Sequence, residues 1–92
     1  MLWSRRAPRA SVLVSAEPEA ALLSTAAALR RLGARITRYD GEVGTLEAQV
    51  PDSAARVRIR ITPEAPETTR VHLDGDPGAR RVIRRFRSAL SA

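Results

Sequence analysis

The sequence predicts a single α+β domain: five strands in one antiparallel sheet, in the order 1-5-4-3-2, with two helices packed on one face. Three observations carry this reading. Ala55-Arg56-Val57-Arg58-Ile59-Arg60-Ile61 alternates apolar residues and arginines without a break, the period of a half-buried strand. Two stretches, 18–32 and 77–90, repeat apolar residues at helical spacing between helix start and stop signals. The other apolar runs are short, alternate with polar residues and end at glycine, proline or aspartate.

In chain order, Val12-Leu13-Val14 is a first strand with Val12 and Val14 inward. Pro18 suits the first turn of a helix, and Glu17 and Glu19 are anions at its positive end. Leu22, Ala26 and Leu29 fall on one stripe, Arg30 and Arg31 suit the last turn, and Gly33 the left-handed position after it. Residues 34–39 form a second strand, with Ala34 and Ile36 inward. Residues 45–50 form a third, with Leu46, Ala48 and Val50 inward, stopped by Pro51. The fourth is the alternating stretch. Pro63 and Pro66 are read as breaking regular pairing after it, and residues 68–74 form the fifth, with Thr69, Val71 and Leu73 inward. Asp76 is a good N-cap, Pro77 a good first helical residue, and Ala79, Val82, Ile83, Phe86 and Leu90 make one apolar stripe.

Side-chain parity fixes the expected register, because a one-residue slip turns every side chain to the other face. A two-residue Asp40-Gly41 turn would pair Ile36 with Thr45 and expose the third strand's apolar set. The sequence therefore predicts an odd-length loop or a glycine bulge at Gly41 or Gly44, with Ile36 opposite Leu46. The same logic sets Val50 opposite Ala55 and Ile59 opposite Val71.

The chain has 92 residues, one domain's worth, and its core supports a stability of about 5–10 kcal/mol. Hydrophobic residues at 43% and charged residues at 28% place it among globular rather than disordered chains. The absence of cysteine excludes disulfides and thiolate metal sites. No apolar run is long enough for a membrane-spanning helix. Residues 1–10 read as a short basic tail and 11–92 as the domain. Ser4-Arg5-Arg6 resembles a twin-arginine signal, but cleavage after Val14-Ser15-Ala16 would remove the first strand, so a cytoplasmic protein is expected. Net charge is +6, and all 16 basic residues are arginine. A GC-rich genome yields the same bias, so the placement of the arginines carries more meaning than their number.

The order strand, helix, four strands, helix resembles the TATA-binding-protein-like and helix-grip folds, over residues 11–90. The resemblance rests on element order and spacing and brings no residue motif with it. It implies one of two uses of such a scaffold: nucleic-acid contact through the sheet, or an apolar ligand held between the sheet and the C-terminal helix.

The expected register gives the solvent face three rows: Arg35, Glu47, Arg58 and His72; Thr37, Thr45, Arg60 and Arg70; and Gln49, Arg56 and Asp74. The first and third are largely self-compensated. The second sets Arg60 beside Arg70 with only threonines next to them, an arrangement that favours a bound anion. Arg58, Arg60, Arg70 and His72 are therefore the expected face for an anionic partner. Arg80, Arg84 and Arg87, beside Arg81 and Arg85 on an acid-free helix, make a secondary basic surface suited to phosphates. A lone His72, with no glycine-rich phosphate loop and no metal-ligand spacing, gives no grounds for a catalytic, cofactor or metal site. The expected function is a non-enzymatic binding or assembly module for an acidic protein or, non-specifically, nucleic acid, with self-association as a homodimer through the same face. The alternative is a carrier of a small apolar ligand lined by Ile59, Val71, Ile83 and Phe86.

Overall fold

The computed structural model describes residues 8–91. Its elements run β1 (Arg9–Val14), α1 (Pro18–Arg31), β2 (Arg35–Asp40), β3 (Thr45–Gln49), β4 (Arg56–Ala65), β5 (Thr68–Gly75), one 3₁₀ turn (Pro77–Ala79) and α2 (Arg80–Ser91). The strands form one antiparallel sheet in the order β1-β5-β4-β3-β2, as the sequence predicts. The first strand is longer than expected and takes in Arg9 and Ala10 from the proposed tail; the rest of that tail, residues 1–7, lies outside the described residues.

Period-two alternation delivers one sheet face to the core. Leu46, Ala48, Val57, Ile59, Val71 and Leu73 are all buried on it. Leu22, Ala26 and Leu29 of α1 and Val82, Ile83 and Phe86 of α2 close the core from the other side. Phe86 is fully buried, and its truncation would remove the largest single block of that core. Gly33, at φ +87°, ends α1 in the left-handed conformation its position predicts.

The register of β3 on β4 is the expected one, with Glu47 opposite Arg58 and Thr45 opposite Arg60. Two registers differ from expectation. In the β2–β3 hairpin, Ile36 lies opposite Ala48 rather than Leu46. The loop between Asp40 and Thr45 has an even length, and parity is restored by a bulge at Thr37 instead of at a glycine. Asp40 organises the turn, its Oδ1 accepting the N–H groups of Glu42 and Val43, both at 3.1 Å. Gly44, at φ +80°, returns the chain to the strand. The bulge puts Arg38 opposite Glu47, and it puts Tyr39 on the row of Leu46 rather than facing the open side.

In the β4–β5 hairpin the pairing is displaced by two residues, with Ile59 opposite Leu73 and Ile61 opposite Val71. The cause is Pro63, which does not end the strand. Ile61 donates its N–H towards β3, to the Gly44 carbonyl at 3.0 Å. Alternation points the Pro63 nitrogen the same way, past the end of β3, where no donor is needed. The strand therefore continues to Ala65 with a bulge between Pro63 and Ala65, and it turns at Pro66-Glu67.

Asp76 caps differently from expectation. It precedes a 3₁₀ turn, and its side chain makes no cap hydrogen bond. Its Oδ2 accepts the Arg56 N–H at 3.0 Å while its own N–H donates to the Arg56 carbonyl, also at 3.0 Å. The carboxylate thus ties the start of β4 to the start of the last helical segment.

Candidate functional site

The face of the sheet away from the helices is open, and the observed register writes two contrasting rows across it. The first runs through all five strands as Arg9, Asp74, Arg58, Glu47 and Arg38, one residue per strand with the charge alternating at every step. Opposite charges facing across strands stabilise a sheet by about 0.2–1 kcal/mol per pair. Arg58 is the centre of this ladder. Its Nε lies 2.9 Å from Asp74 Oδ1 and its Nη2 3.7 Å from Asp76 Oδ1. The hydrogen bond to Asp74 raises the Arg58 pKa further above an already high value, so the guanidinium stays charged across the whole working pH range. Stability from a raised base is present below its unfolded pKa, and this one is lost only at extreme alkalinity. Arg58 belongs to the sheet's own structure more than to a partner.

The neighbouring row reads Ser11, His72, Arg60, Thr45 and Asp40. Here the cation has no carboxylate opposite it. Arg60 faces His72 on one side and Thr45 on the other, and among the described residues it makes no hydrogen bond or ion pair. His72 is half-buried, with its Nε2 3.1 Å from Thr62 Oγ1. The carboxylate at the end of the row, Asp40, is occupied by the turn.

The expected pairing of Arg60 with Arg70 is corrected by the two-residue displacement in the hairpin. Arg70 stands opposite Thr62 and is neutralised locally: its Nε lies 3.0 Å from Glu64 Oε2 and its Nη1 donates to Ser11 Oγ at 2.9 Å. Arg58, Arg60 and His72 are brought together, while Arg70 turns to its own partners.

Two shallow concavities flank Arg60, each of about 470 Å³. One extends over β3 and β2 to Arg38, Asp40 and Val43. The other extends over β5 and β1 to Ser11 and Arg9. Arg60, His72 and Asp74 line both. A third concavity, of about 190 Å³, lies between α2 and the start of β1 and gathers Arg80, Arg84, Arg87 and Arg9. Arg80, Arg84 and Arg87, expected together on the helix surface, thus line one groove with an arginine from the sheet. Arg9 and Arg38 were not foreseen as site residues. Arg9 lay in the presumed tail, and Arg38 entered the ladder through the Thr37 bulge.

Ile59, Val71, Ile83 and Phe86, the lining expected of an apolar ligand site, are all buried in the core. Among the described residues no group of three or more His, Cys, Asp or Glu side chains is placed to hold a metal ion. Among those residues no helix is long and apolar enough to cross a membrane.

No protein-family model matches the chain, and no curated protein matches it. Among solved structures it is similar to a Thermobifida fusca protein determined by solution NMR as a structural-genomics target. The TM-score is 0.55 at 15% identity, over 84% of this chain and 79% of that one. What the two chains share is an α+β fold, and the likeness is one of fold alone.

Proposed function

We propose that this protein is a small non-enzymatic binding module whose open sheet face takes an anionic partner, with Arg60 as its principal contact. One observation carries the reading: Arg60 is an exposed guanidinium on the middle strand of the sheet, between two concavities, with no carboxylate opposite it on either neighbouring strand. A cation with no ion pair of its own beside a fully alternating ladder is supported by solvent until an anion binds it. Arg58 and His72 flank that position, Arg58 as a fixed charge and His72 as a hydrogen-bonding neighbour. Arg70 serves the hairpin. On the same reading the chain is grouped with the TATA-binding-protein-like and helix-grip folds, by its β-α-β4-α order, and acts in the cytoplasm.

The test is binding of a fluorescent oligonucleotide and of a glutamate-rich peptide, measured at low and at near-physiological salt. Arg60→Glu is expected to weaken whichever anion binds by about tenfold or more, since it removes a cation and adds a like charge. Arg70→Gln should leave binding nearly unchanged. Equal affinity of wild type and Arg60→Glu for both ligands would overturn the proposal.

A further inference from the structure

The three concavities adjoin one another through residues they share. The groove beside α2 and the one over β5 share Arg9 and Ala10, and that one shares Arg60, His72 and Asp74 with the third. Arg9 is the hinge of this continuity. It is exposed, it lies at the start of the edge strand β1, and it lines a concavity on each side of that edge. A path therefore leads from Arg87 and Arg84 on α2, round the β1 edge at Arg9, to Arg60 on the open face. We propose that this path is one track for the sugar-phosphate backbone of single-stranded nucleic acid. The inference deepens the reading of the sheet face above and rests on it.

Four features favour this occupant. First, the spacing is that of an extended polyanion. Arg84 and Arg87 are about 4.5 Å apart along the helix axis, and Arg60 lies two strands across and one row along from Arg9, about 12 Å away in the sheet. Second, the one carboxylate lining this path, Asp74, is already engaged by Arg58. Third, the track bends from the helix side of the sheet to its open side. Duplex DNA, with a persistence length of about 50 nm, cannot follow that bend round a domain 43 × 29 × 26 Å in extent, and a flat bilayer would reach only one side. Fourth, between Arg84 and Arg60 the exposed lining is arginine and serine, with His72 and the Arg58-paired Asp74 half-buried beside it, and it lacks the aromatic anchors that centre protein interfaces. The same lack of aromatics means that bases are not stacked, so binding is independent of sequence and steep in salt.

The experiment is fluorescence anisotropy with oligothymidylates of about 4, 8 and 16 nucleotides, a range that brackets small single-strand-binding domains. A duplex of the longest length and a glutamate peptide of matched charge run alongside, for wild type, Arg9→Gln, Arg60→Gln and Arg84→Gln/Arg87→Gln, with thermal melts to confirm folding. Single strands should bind more tightly with length until the track is filled, and more tightly than the duplex or the peptide. Four phosphate contacts give a slope of log affinity against log salt of about −3, and each arginine removed should flatten it by about 0.7. If the helix variant keeps the wild-type slope while Arg60→Gln weakens binding, the track is overturned and the sheet-face site survives. If Arg60→Gln changes nothing, the sheet-face reading fails and the track with it. Equal affinity for the duplex or the peptide would overturn the single-strand assignment.

Discussion

Arg60 and Arg70 occupy adjacent strands of one face, and their chemistry is decided by what stands across from each. Arg70 finds Glu64 and Ser11; Arg60 finds a histidine and a threonine. The alternation of Ala55 to Ile61 made the outward direction of Arg56, Arg58 and Arg60 legible from sequence. The partner of each was not, because a two-residue displacement keeps every face correct while changing every opposite number. Two buried threonines show the same dependence on context. Thr25 Oγ1 donates at 2.8 Å to the Ala21 carbonyl one turn back, a group already in the ladder of α1. Thr69 Oγ1 donates at 2.8 Å to the Ala16 carbonyl, in the segment between β1 and α1, across 53 residues of sequence. Both are fully buried. Thr25→Val should therefore be nearly neutral, whereas Thr69→Val, which strips a carbonyl of its partner, should cost about 1–2 kcal/mol in denaturant unfolding. Equal losses in the two variants would contradict this account.

At the scale of elements, the helices were the most readable parts of the chain. Their stripes, proline starts and the glycine stop of α1 are local signals, and the bounds of α1 agree with them. The hairpins were less readable because two devices that set them work at a distance. The parity argument required a correction between β2 and β3, but it could not say that Thr37 rather than a glycine supplies it. Pro63 reads as a strand breaker until the end of β3 is known, and only then does its missing donor become harmless. The Thr37 bulge also lies on an edge strand, where an irregular backbone discourages pairing with another chain. Deleting Thr37 would let Ile36 remain opposite Ala48 and make that edge regular. The variant is expected to keep its fold by circular dichroism and to self-associate more at high concentration by light scattering. A monomer as dispersed as wild type would show that the bulge does not guard the edge.

Over the whole molecule, composition announced a basic surface and could not arrange it. The net charge of +6 and the acid-free last helix were visible at once. The ladder from Arg9 to Arg38 was not, since it needs all four registers at once and an arginine assigned to the tail. Nor was the meeting of Arg9 with Arg84 and Arg87, which depends on α2 lying beside the start of β1. That placement follows from the strand order, which seats the first strand, β1, beside the last, β5, in one seam. The seam has a kinetic meaning. The hairpins β2–β3, β3–β4 and β4–β5 close short loops, whereas Ser11 meets His72 only after some sixty residues have been brought round. Chain closure at β1 should be the late step of folding and the early step of unfolding. Pulse-labelled amide exchange would show it as protection of Val12 and Val14 lagging behind that of Val57 and Ile59. On the ribosome the amino-terminal strand must then wait, unpaired, until β5 has emerged, and the arginine carried at its start reaches its place among the others only when the sheet is complete.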